Sequence, residues 1–142
     1  MSRIAIASDH AGVDLKARLD EHLRGLGHEV IDLGSATAAS VDYPDYADTL
    51  AAAIGEQRAE QGVLICGSGI GISIAVNRHR HIRAALCHDG LSARLSRQHN
   101  DANVLVLGAR LIGEDVARDC ATTFFSTAFE GGRHQRRVDK LC

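Results

Sequence analysis

Five short apolar runs recur along the chain, and segments with a helical spacing of apolar residues separate them. Each run has the length of a strand, and most are rich in Val, Ile, Leu and Ala, as strands buried on both faces of a sheet are. The runs occupy residues 3–8, 29–34, 62–66, 82–87 and 104–108. The alternation of strands with helices predicts an α/β fold with a parallel sheet.

The segments between the runs place apolar residues three or four positions apart, which is typical of amphipathic helices. In the first, Leu19 and Leu23 share a face, and Gly27 is a natural stop. Pro44 is expected just inside the second, where its missing N–H costs nothing. Further helices are predicted over residues 72–77, 91–98, 114–125 and 133–141. We therefore expect one domain over residues 1–142, a three-layer α/β/α sandwich with a Rossmann-like five-stranded parallel sheet and right-handed crossovers.

The composition is that of an ordinary soluble globular protein, with 45% hydrophobic and 24% charged residues. The net charge of −2 gives no support for nucleic-acid binding, and no apolar run is long enough to cross a bilayer. Because the chain enters a strand pattern directly, we expect no signal peptide and a cytoplasmic protein. The four cysteines show no C-x-x-C pair, so we expect free thiols and no metal.

The third run carries the first functional signal, because a thiol and three alternating glycines stand at its end. Cys66 closes the run, and Gly67, Gly69 and Gly71 come directly after it. Glycines let the backbone turn sharply and bring bare N–H groups close to a ligand. The following segment has the pattern of a helix, and both anions and thiolates are favoured at a helix start. A phosphate or oxyanion site is therefore the first hypothesis.

Three plainer interpretations of this stretch stay open. The glycines can simply form a tight strand-to-helix turn, and Cys66 can be a buried core residue. The spacing is also close to the dinucleotide fingerprint G-x-G-x-x-G, with Asp89 as the acid that would bind ribose. However, the motif is one residue short and follows the third strand rather than the first, and the chain is too short for an added substrate domain.

Polar side chains cluster where the predicted strands end, at the edge where parallel α/β sheets bind ligands. They are Asp9, His10, Cys66, Ser68, His88, Asp89 and Arg110. We expect His10 and His99 both to point toward this edge, and a group that titrates near neutral pH suits acid–base catalysis. Either histidine can instead be purely structural. The mixture of acid, base, thiol and cation is typical of an enzyme.

Candidates for ligand binding also lie outside the strand ends. Arg133 and Arg137 are four residues apart and share one face of a predicted helix, where planar guanidinium groups suit a phosphate. A solvated basic face is the alternative, since Arg136 and Lys140 are close by. Tyr43 either packs at the start of its helix or lines the mouth of the site.

Several segments together resemble type B ribose-5-phosphate isomerase, in a group that also includes galactose- and allose-6-phosphate isomerases. The segments span nearly the whole chain in the family's order and spacing, at residues 8–12, 42–44, 65–75, 95–104 and 130–138. The Ser-Arg-Gln-His-Asn and Gly-Gly-Arg-His blocks within the last two are the most specific. The resemblance implies an aldose–ketose isomerase that acts through a cis-enediolate without metal or cofactor, as a homodimer with sites shared between subunits.

The resemblance also implies a role for each matching residue. Cys66 would be the base that moves the proton between C2 and C1, and Ser68 and the loop amides would stabilise the enediolate. Asp9 and His99 would open the furanose ring of a phosphorylated monosaccharide, with His99 protonating the ring oxygen. The remaining substrate contacts would come from His10, Tyr43, Gly67, Gly69, Ile70, Gly71, Asn100, Arg110, Arg133 and Arg137.

The family has a second branch, in which glycine replaces the cysteine and a glutamate six positions on is the base. This chain has Cys66 and Ile72 at those positions, which indicates the cysteine branch. Ribose 5-phosphate is the expected substrate. The alternatives are the same chemistry on allose 6-phosphate, galactose 6-phosphate or a tetrulose phosphate, and a non-catalytic module that only binds sugar phosphates.

Overall fold

A five-stranded parallel sheet forms the centre of the computed structural model, which describes residues 2–142. The strands are β1 (Arg3–Ser8), β2 (Glu29–Asp32), β3 (Gln61–Cys66), β4 (Ala84–Leu86) and β5 (Val104–Gly108). Their order across the sheet is β2-β1-β3-β5-β4, and every neighbouring pair is parallel. All five predicted strands are present, although β2 and β4 are shorter than expected.

Six helices connect or follow the strands: α1 (Val13–Gly25), α2 (Tyr43–Gly55), α3 (Ile70–Val76), α4 (Gly90–Asn100), α5 (Glu114–Ser126) and α6 (Arg133–Asp139). A single 3₁₀ turn (His10–Gly12) precedes α1. α4 is longer than predicted and includes His99, because it ends only where Asp101 takes the left-handed conformation, at a φ of 46°. None of the helices in the described part of the chain is both long and apolar enough to cross a membrane.

The two faces of the sheet carry separate hydrophobic cores, which confirms the expected three layers. Ile4 and Ile6 of β1 point to one face, and the alanines that follow each of them point to the other. The first core packs against α1, α4 and α5, around the fully buried Phe124. The second core packs against α2 and α3, and it includes the side chain of Cys66.

The order of the strands creates a crevice at the carboxyl edge of the sheet. The connection after β1, which contains α1, covers one face, and the connection after β3, which contains α3, covers the other, so the loops that follow these two strands diverge. Asp9 and Cys66 lie at the two strand ends. α4 begins at this same edge, after β4, and runs back antiparallel to the strands. Its last residues, His99 and Asn100, therefore lie at the opposite edge, near the start of β5.

Candidate active site

Cys66 is the last residue of β3 and lies at the base of the crevice. Its side chain is buried, on the face that α2 and α3 cover. The sulfur accepts a hydrogen bond from the amide nitrogen of Gly69 over 3.1 Å. The loop after the strand therefore folds back over the thiol and fixes its position.

The loop between β3 and α3 takes this shape because two positions carry no side chain. Gly69 has a φ of +77°, and a Cβ there would lie 3.0 Å from the carbonyl carbon of Leu107. At Gly108, the last residue of β5, a Cβ would lie 2.4 Å from the carbonyl oxygen of Ser68. The Ser68 hydroxyl oxygen accepts from the amide of Ile70 over 3.1 Å. The loop is thus packed tightly against the end of β5.

Asp9 and His10 lie beside the thiol because β1 and β3 are neighbours in the sheet. The amide of Asp9 donates to the carbonyl oxygen of Ile65, next to the thiol, over 3.2 Å. The buried Asp9 carboxylate accepts from the amide of Ala11 over 3.0 Å and caps the 3₁₀ turn. The Nδ1 of His10 accepts from the amide of Val41 over 3.2 Å, which leaves Nε2 to donate to a ligand.

Tyr43 and Arg110 lie at the rim of the same crevice. Tyr43 is the first residue of α2, and an added Cβ at Gly71 would lie 2.5 Å from its ring. Tyr43 and Gly71 also border a groove of about 390 Å³ between α2 and α3. The Arg110 side chain passes over Gly67, and within residues 2–142 it forms no ion pair. This cation is therefore available to an anion above the glycine loop.

A second group of candidate residues surrounds the end of α4. The His99 ring stacks on the ring of His134, with centroids 4.4 Å apart and planes 14° from parallel. His134 belongs to α6, which packs against α4. Arg133 and Arg137 are exposed on α6 and have no carboxylate partner in the described part of the chain. Asn100 borders a groove beside the start of β4.

Within one chain, the structure does not bring these two groups together. One group surrounds Cys66 and consists of Asp9, His10, Tyr43, Arg110 and the loop between β3 and α3. The other group lies around the end of α4, at the opposite edge of the sheet. The expectation that His99 points toward the strand-end edge is therefore wrong for a single chain. The direction of α4 follows from the parallel topology, because a helix that leaves the carboxyl edge of the sheet must return to the amino edge before the next parallel strand begins.

Within residues 2–142, one group of side chains has ligand atoms that could meet at a metal ion. The group consists of His99, Glu130 and His134, whose ligand atoms all lie within 4.8 Å of one another. A histidine binds an ion in the plane of its ring, and the planes of these two stacked rings are only 14° from parallel, so one ring would have to turn before both could bind one ion. As it stands, the group is a pair of stacked rings with a carboxylate beside it. Sequence reasoning assigned no role to His134, although its four-residue spacing from Glu130 was visible.

The chain matches the family model described as Ribose/Galactose Isomerase over residues 4–141. It is 45% identical to ribose-5-phosphate isomerase B of Escherichia coli, over 99% of this chain and 95% of that protein. It is 41% identical to a D-erythrulose-4-phosphate isomerase of Pectobacterium atrosepticum, over 99% of this chain and 93% of that protein.

The solved structure of a ribose 5-phosphate isomerase from Thermotoga maritima has the same fold as this chain. The TM-score is 0.96 at 52% identity, and the match covers 99% of this chain and 97% of the other. Sequence, family model and fold thus agree over nearly the whole length. The chain therefore belongs to the ribose/galactose isomerase family and is an aldose–ketose isomerase.

Proposed function

We propose that this isomerase interconverts ribose 5-phosphate and ribulose 5-phosphate. The observation that carries the proposal is the position of Cys66, a thiol held at the base of the crevice under a loop of backbone amides. Relatives named as ribose-5-phosphate isomerases, at 45% and 52% identity, support this substrate. A Bacillus subtilis relative at 46% identity is named more broadly as a sugar phosphate isomerase, which supports a phosphorylated sugar as the substrate.

In the proposed reaction, the Cys66 thiolate removes the proton from C2 of the open-chain aldose. The C–H bonding pair becomes the C1=C2 double bond of a cis-enediolate, and negative charge moves to the oxygen on C1. A proton then passes from the C2 hydroxyl to the C1 oxygen. The thiol returns its proton to C1, which leaves a ketone at C2. General base catalysis of this kind contributes about 10²- to 10⁴-fold.

The Ser68 hydroxyl and the loop amides stabilise the charge on the enediolate. Removing one such preorganised donor typically costs about 3 kcal/mol of transition-state stabilisation. The Gly69 amide already donates to the Cys66 sulfur. It therefore orients the base. The Ile70 amide donates to the Ser68 hydroxyl, so the other amides between Gly67 and Gly71 are the ones that meet the oxyanion.

Ring opening precedes proton transfer, since ribose 5-phosphate is mostly a furanose. His99 protonates the ring oxygen, and Asp9 takes the proton from the hydroxyl on C1. Asn100 and Tyr43 bind the sugar hydroxyls. The buried Asp9 carboxylate is already held by the amide of Ala11, which suits a group that must act from a fixed position.

Four cationic or donor side chains bind the phosphate. Arg110 and His10 reach it from the carboxyl edge of one sheet, and Arg133 and Arg137 reach it from α6. None of the three guanidinium groups has an ion-pair partner within residues 2–142, so their charge is available for a bidentate contact with phosphate oxygens.

The site is completed by a second copy of the chain, because the two groups of residues lie at opposite edges of one sheet. One subunit supplies the Cys66 loop, and its partner supplies His99 and the α6 arginines. Ile70 and Ile74, on α3 beside the loop, are 53% and 64% exposed, which is apolar surface that a dimer interface would cover. A two-fold axis then gives two equal sites in each dimer.

A panel of phosphorylated sugars, compared by kcat/KM, tests the substrate. We expect ribose 5-phosphate to exceed allose 6-phosphate, galactose 6-phosphate and erythrulose 4-phosphate by at least about tenfold. A higher value for the tetrulose would assign the chain the substrate named for its Pectobacterium relative. Binding without turnover of any sugar would identify a non-catalytic module.

Mixing two defective variants tests whether the site is shared. Cys66→Ala and His99→Asn each lose most of their turnover, but a hybrid dimer contains one site in which both halves are intact. Half of the randomly exchanged dimers are hybrids, so about a quarter of the wild-type activity returns. Subunit exchange verified by mass, without any return of activity, would contradict the sharing.

A further inference from the structure

His134 is the only aromatic side chain within residues 2–142 that stacks on His99, with ring centroids 4.4 Å apart and planes 14° from parallel. The two residues come from different helices, α4 and α6. The stack therefore fixes the His99 ring relative to a second element rather than to its own helix. A flat ring packed against it removes much of the rotation that the His99 side chain would otherwise have.

The stack is anchored on the His134 side by the segment that precedes α6. The amide of Glu130 donates to the carbonyl oxygen of Gln98, the residue before His99, over 3.1 Å. The Glu130 carboxylate also lies 3.6 Å from Nε2 of His134. The His134 side chain is only 12% exposed, although the residues on either side of it are exposed. One backbone contact and one side-chain contact thus hold the two rings together.

The groups around His134 favour its uncharged form. Partial burial lowers the pKa of His134, and neighbouring cationic groups, the protonated form of His99 together with Arg133 and Arg137, lower it further, against the opposing effect of Glu130. These four groups, from α4, from α6 and from the segment before α6, are the charged groups that face the ring. A neutral ring can stack on His99 in either protonation state without charge repulsion.

We propose that His134 is a positioning residue for His99, holding its ring in the plane from which it protonates the sugar ring oxygen. The inference rests on the role proposed above for His99. His134 reaches the substrate only through His99, and it belongs to the same half of the shared site.

Three variants measure the effect of the stack on turnover of ribose 5-phosphate. His134→Ala lowers kcat about 10- to 100-fold, the range typical of residues that orient a catalytic group, and changes KM less than about twofold. His134→Phe keeps a flat ring in the same place and restores most of kcat. Gln135→Ala is the matched control on the same helix, because its exposed side chain bonds only to Asp139, and it keeps wild-type kcat.

A double-mutant cycle separates positioning from a direct or structural role. In the His99→Asn background, His134→Ala costs nothing further, since its route to the substrate has been removed. A further loss of about tenfold there, or a rise in KM alone, would overturn the inference, because His134 would then act on the substrate or on the fold. Wild-type kcat in His99→Asn alone would instead overturn the role proposed for His99, and the inference with it.

Discussion

The amide nitrogen of Gly69 lies 3.1 Å from the sulfur of Cys66 and donates a hydrogen bond to it. Gly69 also has a positive φ and packs against the end of β5, where no Cβ fits. One residue therefore both shapes the loop and fixes the direction of the thiol. In the proposed reaction, a base held in this way needs no rearrangement before it takes a proton, which is the advantage of a preorganised site.

Cys66→Ala should fold like the wild type and lose turnover. The substitution removes one buried sulfur, which costs about 1 kcal/mol of the free energy of unfolding. Loss of the base should lower kcat about 10²- to 10⁴-fold. Thermal unfolding and a ribose 5-phosphate assay measure the two effects, with the exposed Cys142→Ala as control. Near-wild-type turnover by the folded variant would show that another group is the base.

Arg137→Ala should raise KM with little change in kcat, because a charge-assisted contact with the phosphate is lost in both the ground state and the transition state. Such a contact is worth about 1.5–3 kcal/mol, which corresponds to a rise of about 10- to 150-fold. Arg136→Ala, one residue earlier and also exposed, should leave KM unchanged. Equal effects of the two variants would indicate a general loss of positive charge.

Gly108→Ala should destabilise the protein and reduce kcat. An added Cβ would lie 2.4 Å from the Ser68 carbonyl oxygen, and this backbone atom can move only if the loop between β3 and α3 moves with it. We expect a loss of about 2 kcal/mol in the free energy of unfolding.

Gly25→Ala is the matched control for that variant. Nothing lies within 4 Å of the added Cβ, and the position ends α1, so alanine should be neutral or stabilise by about 0.5–1 kcal/mol. Urea denaturation compares the two variants. Equal midpoints would contradict the close contact between the loop and β5.

Cys87 and Cys120 should resist alkylation until the protein unfolds. Burial raises the pKa of the Cys87 thiol, and burial together with the neighbouring Cys87 raises the pKa of Cys120 to about 12. Because the thiolate is the reactive form, iodoacetamide at pH 8 should modify the exposed Cys142 first. Mass spectrometry with and without urea locates the label, and rapid labelling of Cys120 in the native protein would contradict this burial.

The raised pKa values of Cys87 and Cys120 also predict that the protein loses stability in alkali. The unfolded chain releases their protons near the ordinary thiol pKa, about 8.5, whereas the folded chain keeps them to higher pH. The unfolded state then binds fewer protons, so the free energy of unfolding falls as the pH rises from about 9 towards 12. Cys120→Ala should make that fall less steep, as urea denaturation at each pH would show.

Asp32→Asn should destabilise the protein more than Lys16→Met does. The buried Lys16 ammonium lies 2.6 and 2.7 Å from the two carboxylate oxygens of Asp32. Asparagine still accepts from the amide of Gly34, but it leaves the ammonium without a counter-charge, at a cost of about 3 kcal/mol. Methionine removes the charge and keeps the volume. The reverse order of urea midpoints would show that the ion pair is not what stabilises this contact.

The central strands could be predicted closely, and the two edge strands, β2 and β4, could not. β1 and β5 begin and end with their apolar runs, because strands buried on both faces carry apolar residues at nearly every position. β4 has a neighbour on one side only. The amide of Arg83, inside the predicted run, donates to the side chain of Asn103, so the run becomes a strand of three residues.

The surroundings of Cys66 could be predicted because residues that follow neighbouring parallel strands meet at one edge. Two other features of the structure could not be predicted from the sequence. No local pattern shows that β5 lies between β3 and β4, or that His134 stacks on His99, since each depends on contacts between distant segments. The wrong placement of His99 differs from these two features, because it could have been avoided: the predicted parallel topology already implied the direction of its helix.

α4 leaves one edge of the sheet and ends at the other, which separates Cys66 from His99 in every single chain. With the site shared between two subunits, a chain without a partner carries two halves that cannot act. Activity per milligram should then fall on dilution below the dissociation constant of the dimer, and it should return on concentration. With the proposed sharing, the direction of one helix makes the rate of the enzyme depend on how often its own copies meet.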